Sequence, residues 1–174
     1  MPRQSPAGSE KARPGASPRE GRRVPGARFF DFLLPHLQPA SARRVHGMPT
    51  TGTYEELARS RHHLLVTYRR DQTAVPVTVW AAAASGRLYI RTERTSGKVK
   101  RLRRDPRALI APATVRGRPL GPPLAVTGRV LAPGEEQAAE TALASAHGWY
   151  RAWFEGSVDR LHVDMCFLEL TPEP

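Results

Sequence analysis

His63-Leu64-Leu65-Val66-Thr67-Tyr68, Ala74-Val75-Pro76-Val77-Thr78-Val79-Trp80-Ala81-Ala82-Ala83 and Arg87-Leu88-Tyr89-Ile90-Arg91-Thr92 are the runs on which the fold turns. Each is rich in β-formers and bounded by turn residues, which reads as a strand. Asp71-Gln72 marks the first turn, and Ser85-Gly86 suits a tight hairpin between the second and third runs. In the second run Val75, Val77 and Val79 alternate with Pro76, Thr78 and Trp80, a period of two that puts the valines on one face. Pro76 has no N–H for a ladder, so that strand begins at an edge or carries a bulge. Successive strands joined by short turns pair antiparallel.

The pattern continues on both sides. Thr53-Tyr54-Glu55-Glu56 matches a capping box, followed by a short helix through Leu57 and Ala58. Ser96 stands at the cap of a basic helix from Gly97 to about Arg104, stopped by Asp105-Pro106. Arg107–Thr114 and Leu124–Leu131 read as strands joined by the loop Arg116-Gly117-Arg118-Pro119-Leu120-Gly121. Pro133 opens an Ala-rich helix with Glu135 and Glu136 in its first turn and Gly148 past its end, and Leu161–Leu170 is a final strand. The expectation is a mainly β protein of roughly six antiparallel strands, an antiparallel barrel with peripheral helices.

Before this domain the composition changes. Residues 1–47 hold seven prolines and a net charge of +6 out of the chain's +11, with too little apolar surface to offset the entropy of ordering. They are expected to be a disordered tail, with Met48 as an alternative start of translation. The split is therefore 1–47 and 48–174, and the second part is long enough to bury about two-thirds of its unfolded surface. The single cysteine, Cys166, excludes an intramolecular disulfide and reads as core among Met165, Phe167 and Leu168. His62 and His63 point to opposite faces of a strand, so no metal site is expected. No apolar run is long enough to span a bilayer, which points to a cytoplasmic protein without a membrane partner.

The densest chemical signal lies in residues 91–107, where eight Lys and Arg face Glu93 and Asp105. Ser96-Gly97 opens a helix inside that cluster with Lys98 on its first turn, and free N–H groups and the helix dipole at such a start favour a phosphate. A solvated basic helix face is the competing reading. Nucleic-acid binding is a weaker one, because no helix-turn-helix, zinc-finger or RNP pattern appears and no aromatics interleave with the basic run. Hydrolytic motifs are missing too.

Together, Leu64-Leu65-Val66-Thr67-Tyr68-Arg69-Arg70-Asp71, Val75-Pro76-Val77-Thr78-Val79-Trp80 and Ser96-Gly97-Lys98-Val99-Lys100-Arg101-Leu102-Arg103-Arg104-Asp105-Pro106-Arg107 resemble the pyridoxamine-phosphate-oxidase-like, FMN-binding split β-barrel superfamily. Within it the chain looks most like the actinobacterial flavin/deazaflavin oxidoreductases that use coenzyme F420. The resemblance spans about residues 53–170 and includes Arg116-Gly117-Arg118-Pro119-Leu120-Gly121 and His147-Gly148-Trp149. It implies a homodimer with a flat cofactor in a groove between subunits, F420 or alternatively FMN. Carried over by position, Pro76, Val77, Thr78, Val79 and Trp80 would line the ring. Arg91 and Thr92 would flank the ring or its sugar-like chain, and Ser96, Lys98, Lys100 and Arg101 would hold the phosphate. The reaction implied is hydride transfer to a conjugated, electron-poor small molecule, the cofactor supplying the redox chemistry, with an FMN-binding oxidase or a non-catalytic cofactor-binding module as the alternatives.

Overall fold

The computed structural model describes residues 39–146 and 164–173. Seven strands form one sheet: β1 (His62–Tyr68), β2 (Ala74–Trp80), β3 (Ala82–Ala84), β4 (Arg87–Glu93), β5 (Arg107–Pro112), β6 (Leu124–Val130) and β7 (Met165–Pro172). Their order is β2-β1-β5-β6-β7-β4-β3, every neighbour antiparallel. β2 and β3 stand at opposite ends of that order, yet only Ala81 separates them in the chain. One bent strand thus belongs to both edges, and the sheet must curl until those edges meet. The small side chains of Ala81 to Ala84 let the strand pass from one edge to the other. Counted this way the barrel has six strands, as expected, with the expected second strand broken at Ala81.

Alternation fixes what fills it. Leu65, Val79, Leu88, Ile90, Ile110, Val126, Cys166, Leu168 and Leu170 form the interior cluster. Helix α3 (Gly97–Arg104) packs into that cluster through Val99 and Leu102. Gly128 makes room for it, since a Cβ there would lie 2.9 Å from methyls of both Leu102 and Leu170. Helix α2 (Tyr54–Ala58) adds Leu57, and its start is the expected capping box, with Thr53 and Glu56 bonded reciprocally. His63 lies inside, its Nε2 donating to Leu57 O at 2.9 Å, while His62 lies outside.

Two outer patches of the sheet are covered. Helix α1 (Ala40–Arg44) and a 3-10 turn (Val45–Gly47) bury Ala42 and Val45 with Leu64, Val66 and Leu109. Residues 40–47, assigned to the tail by composition, are therefore built onto the barrel, because two small apolar side chains suffice to anchor one turn. On the other side Ala139 and Ala142, from a helix described over residues 137–146 (α4), pack on Tyr89 and Phe167. That helix begins four residues after Pro133. Gly134 takes φ +94°, a left-handed turn that no helix contains, and Glu135 binds Arg129 and Ala132 N instead of opening the helix. The start of the expected final strand, together with His147, Gly148 and Trp149, lies outside the described residues. Among the described residues no helix is long and apolar enough to cross a membrane.

Candidate functional site

β4 ends at Glu93, and a turn closed by Ser96 N donating to Glu93 O leads directly into α3. Ser96 sits at the N-cap with extended backbone (φ −63°, ψ 154°), and its carbonyl accepts from Lys100 N. Its hydroxyl does not cap the helix. Ser96 is only 2% exposed, and Oγ has no hydrogen-bond partner. The expected position is right and the expected capping bond is absent. Burying a hydroxyl unpaired costs about 1–3 kcal/mol, and here that hydroxyl lies where a helix dipole favours an anion.

A guanidinium is fixed beside it. Arg101 Nε donates to Thr67 Oγ1 at 2.7 Å, and Thr67 is fully buried on the inward side of β1. The same guanidinium folds over the helix start, where a Cβ on residue 97 would lie 2.8 Å from Arg101 Nη1. Glycine at 97 thus leaves the space that Arg101 occupies. Lys98 is half-buried on the first turn, and Lys100 is exposed two residues further on, about 200° around the helix. Ser96, Lys98 and Arg101 therefore share one helix start, and Thr67 joins them. Thr67 is not among the expected site residues; its one signal is a hydroxyl two positions after the inward Leu65 of β1.

The other expected residues lie elsewhere on the barrel. Thr92 is buried opposite Cys166, and Arg91 is half-buried opposite Phe167 on the outer side of β4. On β2, Val77 and Val79 pack with the interior, whereas Thr78, Trp80 and the buried Pro76 alternate to the opposite face. Trp80 meets its cross-strand partner His62 edge to face, with ring centroids 5.5 Å apart. Burial, and secondarily the charge of Arg61, lowers the His62 pKa, so its ring favours the neutral form.

The basic run is not a uniform patch. Arg94 grips both carboxylate oxygens of Asp164 at 3.0 and 3.1 Å. Arg107 pairs with Asp105 at 2.8 Å, and this guanidinium holds the Asp105 carboxyl below its ordinary range. Arg104 Nη2 donates to Tyr68 O at 2.6 Å, tying the end of α3 to β1. Arg103 and Arg104 also complement the negative end of the helix dipole, a structural reason for their charge.

No family model matches the chain, and no curated protein matches it. Solved structures do. An FAD-binding protein from Mesorhizobium loti is 15% identical with TM-score 0.51, the match covering 69% of this chain and 84% of that one. A conserved hypothetical protein from Mycobacterium tuberculosis is 18% identical with TM-score 0.50, covering 79% and 86%. A heme storage protein from Vibrio cholerae is 11% identical with TM-score 0.50, covering 69% and 87%. The chain shares the fold of these structures, a mainly β split barrel. At these identities the likeness is one of fold, and the split barrel hosts flavin and heme proteins alike, so function must be argued from the site.

Proposed function

We propose that this split barrel is a cytoplasmic oxidoreductase that holds coenzyme F420 by its phosphate at the start of α3. It would act on a conjugated, electron-poor small molecule. The observation that carries the reading is the buried, unpartnered Ser96 hydroxyl at a helix start, with Arg101 locked over Gly97 by Thr67. A phosphate oxygen would accept from Ser96 Oγ, from first-turn N–H groups and from Arg101, with Lys98 adding charge. When bound, the deazaflavin supplies a hydride. The chain's own residues bind, orient and shield it. Thr78 and Trp80, with Val77 and Val79 behind them and the buried Pro76 beside them, would border the ring, and Arg91 its chain, in a groove shared by two copies of the barrel, whereas Thr92 faces the interior on the other side of β4. Lys100 and Arg104, on the same helix, suit a cofactor with charge beyond one phosphate.

FMN is the second reading. One hydroxyl, one helix start and one guanidinium suffice for a single phosphate, and the Mesorhizobium loti neighbour binds FAD. Titrating the protein with oxidised F420 and with FMN, at low and high salt, separates the two. Tight, salt-sensitive F420 binding over weak FMN binding supports the proposal. A preference for FMN moves the protein to the flavin branch, and binding of neither overturns the cofactor reading. Lys98→Ala should weaken whichever cofactor binds by about tenfold, the worth of one charge-assisted contact.

A further inference from the structure

A groove of about 510 Å³ lies between α3 and the end of β6, separate from the helix start. That volume falls within the roughly 300–1,000 Å³ of small-molecule sites. Half-buried Val130 gives it an apolar wall over a floor of buried Leu102 and Leu131, and Gly128 contributes no side chain. Three guanidiniums from three elements border it: Arg94 after β4, Arg103 on α3 and Arg129 on β6.

Two of them are fixed and neutralised. Arg94 holds Asp164 and donates through Nη2 to Met165 O at 3.1 Å. Arg129 Nε donates to the buried Glu169 at 2.8 Å, and its Nη1 reaches Glu135. Arg103 is exposed, and among the described residues no carboxylate pairs with it. It follows Arg101 by two residues, about 200° around the helix, so the two cations face opposite sides of α3. Arg101 turns to β1 and Arg103 to β6.

We propose that this groove is a second site, taking a small amphipathic carboxylic acid. One surplus guanidinium selects one carboxylate, bound bidentate by Arg103, and the apolar wall and floor take an aromatic or aliphatic body. Arg94 and Arg129 act as a rigid rim, their positions set by their own carboxylates. The assignment does not depend on which cofactor the helix start holds, or on whether it holds one.

The test uses the full chain, with 4-phenylbutyrate as probe, 4-phenylbutanamide as neutral control and inorganic phosphate as competitor, followed by amide NMR shifts. Saturable shifts with the acid at Arg103, Gly128, Val130 and Leu131, about tenfold weaker with Arg103→Gln, unaltered by Arg101→Gln and undisplaced by phosphate, are expected. Arg103 is exposed, so its variant keeps the fold. Equal shifts with acid and amide, no loss with Arg103→Gln, or displacement by phosphate would each overturn the second site. Absence of shifts at tens of millimolar acid would overturn it as well.

Discussion

Ser96 carries opposite demands. Its hydroxyl is buried without a partner, which disfavours the protein alone and favours any ligand able to accept from it. Ser96→Ala should therefore leave the unliganded protein as stable as before or up to about 1 kcal/mol more stable. The same change should weaken cofactor binding by about tenfold, so melting curves with and without cofactor should move in opposite senses. Parallel movement would make Ser96 merely structural. Gly97→Ala tests the neighbouring contact. The added methyl meets the end of a flexible arginine rather than backbone, so the fold should survive while Arg101 is displaced and affinity falls. The string Ser96-Gly97-Lys98 was legible as a helix start. The direction of the Ser96 hydroxyl was not, because packing around the turn sets it, and the Arg101–Thr67 bond joins residues 34 apart in the chain. Cys166, read as core, lies in the interior, and burial pushes its thiol pKa up. Iodoacetamide should leave it unmodified until the protein unfolds; rapid labelling of the native protein would place it elsewhere.

Elements were easiest to read where local chemistry alone decides them. Ser85 and Gly86 both adopt positive φ, 49° and 72°, as a two-residue hairpin requires, and the flanking strands pair from Ala84 and Arg87. The Thr53 box is equally local. The start of α4 was misread because Pro133 and the two glutamates imitate a helix start, whereas Gly134 and the Arg129–Glu135 pair redirect the chain. Placing Gly128 needed the tertiary contact between α3 and β6. A methyl at this position would press on two buried leucines, one from the helix and one from β7. Gly128→Ala should accordingly cost about 1–3 kcal/mol through overpacking. Urea denaturation would measure it, and an unchanged midpoint would show that α3 can shift without penalty.

At the scale of the molecule, hydrophobic alternation gave the barrel interior, since the odd positions of β1 and β2 and the even positions of β4 and β7 converge there. Closure itself depends on a strand that serves both edges, and no periodicity announces that. The outer surface was harder still. Leu64, Val66 and Leu109 are apolar on the side of the sheet away from the core, and the short segment 40–47 covers them. A chain beginning at Met48 would lack Ala42 and Val45 and leave that patch open to water. Burial of those two side chains is worth about 2 kcal/mol at ordinary transfer values. Deleting residues 1–47 should hence give a melting temperature roughly 5–10 °C below that of a chain lacking only 1–38. Both truncations keep α3, β1 and β4, so cofactor affinity measured well below the transition should match the full chain. Equal melting temperatures would mean that the barrel is complete from Met48 onward. Lost affinity in the shorter truncation would mean that residues 1–38 belong to the binding site.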